Sequence, residues 1–275
     1  MDQYRVFGNP IAQSKSPEIH RRFAGQTGEA LNYDKQLVEQ DGFTAAVQQF
    51  FADGGKGLNI TVPFKLEAFE LADQLTERAR NAGAVNTLMQ LPGGELLGDN
   101  TDGQGMVSDI VERLGWTLHN KRVLLLGAGG AVRGVLQPLL EQRPLQLVVA
   151  NRTLSRAETL AREFAAYGDI SACSFADLDG QQFDVVINGT SASLSGDLPP
   201  LPDTLLASNA CCYDMMYGAE PTVFLRWAQE RGATGVADGL GMLVGQAAES
   251  FALWRGIKPE ITPVINALRA ALASA

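Results

Sequence analysis

A chain of 275 residues with 45% hydrophobic and 19% charged side chains can bury two cores, and its formal net charge is -9. That charge excludes a broad basic footprint for nucleic acid or an anionic membrane, so an anionic ligand must be met by local groups. The first residues lack the pattern of a secretory signal and no run approaches the roughly 18 to 20 apolar residues of a membrane span, so a cytoplasmic protein is expected.

Strand-like runs at 4–8, 31–38, 58–61 and 87–91 alternate with amphipathic runs such as 43–51, an α/β pattern. The stretch Gly57-Leu58-Asn59-Ile60-Thr61-Val62-Pro63-Phe64-Lys65 reads as a strand exit with proline at the first helical position. Lys65, one of six lysines, then falls in the first helical turn. The positive end of the helix dipole disfavours a cation there by roughly 0.3 kcal/mol or more, so something else must require it. Asp99-Asn100-Thr101-Asp102-Gly103 breaks the alternation and marks a domain crossing, followed by a helix with Met106, Val107, Ile110, Val111 and Leu114 on one face.

From Arg122 a second alternation begins: a strand to 126, a glycine turn, a helix to about 141, a strand at 146–150, a helix at 155–166, and strands at 170–174, 183–188 and 210–214. This rhythm predicts a Rossmann-like, doubly wound parallel sheet. After the turn Asp238-Gly239-Leu240-Gly241 come a long apolar helix at 242–254 and a last helix at 261–272, expected to return to the first domain because such a sheet is complete without them. The predicted organisation is therefore α/β with two domains: 1–101 for substrate and catalysis, 102–237 for a dinucleotide, and C-terminal helices in 238–275 packing on the first. Cys173, Cys211 and Cys212 are not at metal-ligand spacing and His20 and His119 stand alone, so three buried reduced thiols and no metal are expected.

Val123 through Leu126 is a buried strand feeding Gly127-Ala128-Gly129-Gly130-Ala131-Val132 at a helix start. Gly127 permits the tight turn, Gly129 lets a pyrophosphate approach the backbone, and the helix N-terminus supplies amide donors. NAD sites place an acid at the end of the next strand, about 20 residues beyond the glycines, to hold the ribose diol. Here that strand ends in Asn151-Arg152-Thr153 with Arg156 close behind. A guanidinium offers a 2′-phosphate forked, charge-assisted bonds, so NADP is favoured over NAD.

A nicotinamide enzyme that reduces a carbonyl needs a proton donor near the oxygen. With no zinc site and no Tyr-x-x-x-Lys pattern, Lys65 leads. Its helix position and any burial favour the neutral amine, and a carboxylate such as Asp102 at the domain crossing would offset that and orient it.

Together Ser14-Lys15-Ser16-Pro17, Asn59 through Lys65, Ala84-Val85-Asn86-Thr87, Asn100-Thr101-Asp102-Gly103, the Gly127 turn, Asn151-Arg152-Thr153, Tyr213-Asp214-Met215 and Asp238-Gly239-Leu240-Gly241-Met242 resemble the shikimate dehydrogenase family, the NADP-using enzymes of aromatic amino acid biosynthesis. The resemblance spans essentially the whole chain. It implies reversible reduction of 3-dehydroshikimate to shikimate, with Lys65 and Asp102 as the catalytic pair and a small-molecule substrate; a homodimer is left open. It also implies substrate contacts from Ser14, Ser16, Asn59, Thr61, Asn86, Tyr217 and Gln246. Cofactor contacts would come from Gly127, Gly129, Gly130, Ala131, Asn151, Arg152, Thr153, Arg156 and Thr190, with Met215 and Gly239 lining the nicotinamide pocket.

Spacing alone leaves other roles open. Ser16 before Pro17 reads as a helix N-cap. Asn86 reads equally as a turn residue, Asn59 and Thr61 as an exposed strand edge, Gln246 as a solvent-facing residue and Met215 as core. Three departures from the family pattern stand out: Gln13 where histidine is frequent, Val132 at the third small position of the fingerprint, and Gly189 where alanine is common. The last two are expected to alter local packing only. The alternative reading is a relative that accepts quinate or an amino analogue, with NAD as well as NADP.

Overall fold

The computed structural model describes residues 1–192 and 196–274. They group into two compact units, Met1–Gly105 with Val244–Asn266, and Met106–Leu243 with the described part of Ala267–Ala275. These boundaries fall a few residues beyond 101 and 237, inside helices, and the segment 238–275 is shared between the units.

The first unit runs β1 (Asp2–Gly8), α1 (Ser16–Thr27), β2 (Leu31–Leu37), α2 (Phe43–Ala52), β3 (Gly57–Ile60), α3 (Lys65–Leu71), β4 (Gln74–Leu75), α4 (Glu77–Ala82), β5 (Thr87–Gln90) and β6 (Leu96–Asp99), and enters α5 (Asp102–Ser108). Its sheet has the order β2-β1-β3-β5-β6-β4. β1 is parallel to β2 and β3, whereas β5 is antiparallel to both of its neighbours. The short strands β4 and β6 carry little hydrophobic periodicity, which is why the sequence reading passes over them. β3 is an inner strand, so Asn59 is not on an exposed edge. The core is built from Phe7, Val47, Phe50, Leu58, Ile60, Phe64 and Leu88 among others.

The second unit runs β7 (Arg122–Leu126), α6 (Gly130–Glu141), β8 (Gln146–Ala150), α7 (Leu154–Phe164), β9 (Ile170–Cys173), β10 (Phe183–Asn188), β11 (Leu206–Asp214), α8 (Val223–Glu230) and β12 (Gly235–Asp238), then enters α9 (Leu240–Arg255). The last helix is α10 (Thr262–Ala273). Its sheet order is β12-β11-β10-β7-β8-β9, with every pair parallel. Val123 and Leu125 of β7 belong to one core and Leu124 and Leu126 to the other, so the sheet is buried on both faces. The chain winds outward from β7 to β9 and resumes at β10 beside β7, so the winding direction reverses between those two strands, the usual place for a dinucleotide crevice.

Three local readings need correction. Pro63 is not the first helical residue: the Val62-Pro63 peptide is cis, and the helix starts at Lys65 with Phe64 as its N-cap residue. Ser16 is not the N-cap of α1 either; that residue is Lys15, and Ser16 is the first helical residue, its amide donating to Ser14 Oγ at 3.3 Å. Of the three free thiols, Cys173 and Cys212 are buried but Cys211 is half-buried. Burial pushes the Cys212 thiol up to about 12.

Candidate active site

Lys65 and Asp102 are the first residues of α3 and α5. Lys65 Nζ donates to Asp102 Oδ2 at 2.6 Å, and the two side chains are 31% and 17% exposed. A carboxylate is favoured at a helix start and a cation is not, and here the Asp102 carboxylate lies against the Lys65 ammonium. The pair is partly buried, so water screens it less than a surface pair.

The second carboxylate oxygen is held from the protein side: Asn86 Nδ2 donates to Asp102 Oδ1 at 2.9 Å. Asn86 is 2% exposed, which excludes a turn role on the surface. Its Oδ1 accepts from the Thr101 amide at 3.0 Å and its Nδ2 also donates to Thr101 Oγ1 at 2.9 Å. Gln246 Oε1 lies 3.4 Å from the same nitrogen, so Gln246 faces the Asn86 side of its helix. That approach depends on two glycines. A Cβ on Gly105 would stand 2.2 Å from the Gln246 amide nitrogen, and one on Gly245 would stand 2.4 Å from the Gly105 carbonyl, so α5 and α9 meet backbone to backbone.

Asn59 is 5% exposed and its amide is used inside the protein. Its Oδ1 accepts from Tyr33 Oη at 2.8 Å, and the two hydrogens of its Nδ2 are shared among three acceptors, Ser250 Oγ at 2.9 Å, Thr87 Oγ1 at 3.1 Å and the Asn86 carbonyl at 3.3 Å. Ser14 and Thr61 are half-buried, and Ser16 is buried. Thr61 follows β3 directly and its amide donates to the Phe7 carbonyl at 3.0 Å. Gln13 is exposed. Tyr33, Thr87 and Ser250 are polar members of this cluster that sequence reasoning missed; Tyr33 and Thr87 lie in strand runs and Ser250 in an apolar helix, where periodicity assigns them to packing. Also missed is Asp99, which is 1% exposed. Burial pushes its carboxyl up, but the Arg78 guanidinium, through two hydrogen bonds, and Thr76 outweigh that and hold it below the ordinary value.

In the second unit the crevice at the ends of β7 and β10 is a cavity of about 690 Å³ whose lining includes Gly127, Gly129, Gly130, Ala131, Asn151, Arg152 and Thr190. Gly127 has φ of 105°, a conformation that favours glycine, and Gly129 is the N-cap residue of α6. The additions that a Cβ would make at Gly129 and Gly130 meet open space, so the cradle is clear for a ligand to reach the backbone. No acid follows β8, where Arg152 lines the cavity instead. These residues fit a dinucleotide with a phosphorylated ribose. Arg156 lines a separate depression of about 380 Å³ beside Gly129 and Gly130, together with Arg133. Thr153 is the N-cap residue of α7 and its carbonyl accepts from Asn151 Nδ2 at 2.8 Å; it is not among the lining residues.

Met215 is 6% exposed, and its amide donates to the Asn188 carbonyl at 2.9 Å. A Cβ on Gly239 would stand 2.1 Å from the Met215 carbonyl oxygen, so these two residues touch through their backbones. Tyr217 belongs to this second unit, and its hydroxyl is raised above its ordinary value by burial and then by Asp238. The next residue is fastened by Arg269, which donates to the Gly218 carbonyl at 2.9 Å.

Among the described residues no group of acidic, histidine or cysteine side chains could hold a metal ion, and no helix is long and apolar enough to cross a membrane. Three family models match the chain: "Shikimate dehydrogenase substrate binding domain" over residues 6–88, "Shikimate / quinate 5-dehydrogenase" over 109–195, and "Shikimate 5'-dehydrogenase C-terminal domain" over 239–269. A curated relative from Cellvibrio japonicus named shikimate dehydrogenase (NADP(+)) is 66% identical over 268 residues, covering 98% of this chain and 97% of its own. The crystal structure of an Ael1 enzyme from Pseudomonas putida is similar with a TM-score of 0.91 and 49% identity, covering 98% of both chains. That of shikimate 5-dehydrogenase from Thermus thermophilus in complex with NADP(H) and shikimate is similar with a TM-score of 0.87 and 32% identity, covering 99% of this chain and 100% of that one.

Proposed function

The chain belongs to the shikimate dehydrogenase family, and from that membership we propose that it catalyses the NADP-dependent, reversible reduction of 3-dehydroshikimate to shikimate. The observation that supports this chemistry best is the 2.6 Å contact between Lys65 and Asp102, two residues at two helix starts, with Asn86 fixing the second oxygen. NADPH, when bound, supplies the hydride to the carbonyl carbon. Lys65 holds at Nζ the proton that the carbonyl oxygen takes as it becomes a hydroxyl, and recovers it in the reverse direction. Asp102 keeps the ammonium in place between turnovers and compensates its charge in a partly buried setting.

In this reading Ser14, Ser16, Thr61, Asn86, Gln246 and Tyr217 contact the substrate. Asn59, whose amide is engaged by Tyr33, Thr87 and Ser250, serves them by ordering the polar cluster behind. Gly127, Gly129, Gly130, Ala131 and Thr190 hold the pyrophosphate side of NADP, Asn151, Arg152, Thr153 and Arg156 the 2′-phosphate side, and Met215 and Gly239 the nicotinamide. Residues 1–101 then form the substrate domain and 102–237 the NADP domain, with Gln246 contributed by the C-terminal segment 238–275. The three free thiols fit a reducing cytoplasm.

The description of one matched family model includes quinate, which keeps a second substrate in view. Initial rates with shikimate and with quinate, each with NADP and with NAD, test the assignment through the absorbance of the reduced nicotinamide. The expected outcome is turnover with shikimate and NADP well above the other three combinations. Quinate turnover equal to that with shikimate, or no preference for NADP, would replace it with the broader reading.

A further inference from the structure

The buried polar groups behind Asp102 form a chain of hydrogen bonds whose direction can be worked out donor by donor. The Thr101 amide can only donate, so the group of Asn86 that it meets at 3.0 Å is Oδ1, and Nδ2 must face Asp102. The Asn86 carbonyl can only accept, so Asn59 turns Nδ2 toward it and toward the hydroxyls of Thr87 and Ser250. Tyr33 fills the Oδ1 side of Asn59. Each hydroxyl has one proton. Thr87 Oγ1, receiving from Asn59, passes its own proton to Asn86 Oδ1 at 2.9 Å, so the 2.8 Å contact with Ser250 is a hydrogen bond when Ser250 donates to Thr87 and not to its other acceptor, the Gln246 carbonyl at 3.0 Å. With this assignment donation runs from Tyr33 through Asn59, Thr87 and Asn86 to the Asp102 carboxylate, and Thr87 and Ser250 are both 0% exposed.

We propose that Thr87 is a positioning residue for proton transfer: beside the Thr101 amide, which sets the flip of Asn86, its hydroxyl adds a second donor to Asn86 Oδ1 and so holds the amide plane with its nitrogen on Asp102, while Ser250 donates to Thr87 from behind. The inference rests on the reading of Lys65 and Asp102 as the acid-base pair. An alternating chain of this kind polarises each member in the same sense, and it leaves the carboxylate in one orientation toward Lys65. Neither hydroxyl touches the reacting atoms. Their effect reaches the reaction only through Asn86 and Asp102.

Thr87→Val removes the hydroxyl and keeps the branched shape, whereas Thr87→Ser keeps the hydroxyl. Thr87→Val should lower kcat by roughly five- to thirtyfold with KM changed by less than about threefold, and Thr87→Ser should keep kcat within about threefold of the unsubstituted enzyme. In an Asp102→Asn background, Thr87→Val should add less than about a twofold loss, because the residue through which it acts is already gone. Equal losses in the Val and Ser variants, or a loss in Asp102→Asn as large as in the intact background, would overturn the inference. If Thr87→Val does not fold by circular dichroism, Ser250→Ala takes its place. It should lower kcat by about two- to tenfold with KM held, and an unchanged kcat would overturn the inference. An Asp102→Asn variant with normal kcat would instead remove the acid-base reading beneath it, so the two failures are told apart.

Discussion

A Cβ on Gly189 would stand 2.4 Å from Cγ2 of Val132, so the valine occupies the space an alanine at 189 would need. The two departures from the family pattern are thus one feature, a side chain moved from the end of β10 to the start of α6. Leu126 O and Met215 Sδ stand 3.2 and 3.0 Å from the same point, so the clash has little room to relax. Gly189→Ala alone is expected to cost about 1 to 3 kcal/mol by overpacking, and Val132→Ala alone about 2 kcal/mol by leaving a cavity. The double variant should cost clearly less than the sum. Urea unfolding of all four proteins measures this, and strict additivity would show that the two sites do not share the space.

Lys65 is expected to act mainly in the transition state. Lys65→Met should lower kcat by roughly 10²- to 10⁴-fold with a smaller effect on KM. Combined with Asp102→Asn it should lose less than the product of the two single effects, since the residues touch and act as a unit. Steady-state kinetics of the single and double variants decides it, and a near-normal kcat in Lys65→Met would end the assignment.

Arg152 lines the larger cavity, whereas Arg156 lines the neighbouring one, so their contributions should be unequal. A charge-assisted bond is worth about 1.5 to 3 kcal/mol, so Arg152→Ala should lower kcat/KM for NADPH by roughly ten- to a hundredfold or somewhat more. For NADH, which lacks the 2′-phosphate, the change should stay below about threefold. Arg156→Ala should have the smaller effect on the ratio. Equal losses with the two cofactors would assign Arg152 to the fold or to the adenine.

His20 is 0% exposed, stacks on Tyr33 with ring centroids 4.1 Å apart, and has no hydrogen-bond partner for either ring nitrogen among the described residues. Burial, partly offset by the nearby Asn59 amide, holds the imidazole down at about 3 instead of 6.5. Between those values the unfolded chain binds a proton that the folded one does not, so stability rises with pH. The contribution is complete above the unfolded value and is lost as pH falls toward the folded one, at about 1.4 kcal/mol per unit. From about pH 7.5 to about pH 5 the protein should therefore lose about 2 kcal/mol that His20→Phe does not lose. Denaturant unfolding at both pH values measures the difference, and parallel losses in the two proteins would show that His20 is not the group responsible.

The α/β class, the strands of the second unit and the glycine turn after Leu126 were legible in the chain, because buried parallel strands are continuous apolar runs and a tight turn demands glycine. The oddity of Lys65 was legible too, since a cation at a helix start contradicts the local electrostatics. Asp102 could be named as the partner of Lys65 from its place at the domain crossing and from the family resemblance, but not the contact itself: Asp102 lies 37 positions away, and only the fold brings the carboxylate within 2.6 Å. Thr87, Ser250 and Tyr33 were read as members of strands and helices, because local periodicity reports which way a side chain faces and nothing of what it meets there. The compensation between Val132 and Gly189 was likewise invisible: each stood out by itself as a departure from the family pattern, and nothing along the chain relates the two. Local conformational preference is written along the chain, whereas hydrogen-bond direction and shared volume are properties of side chains from distant segments and exist only once those segments are packed together.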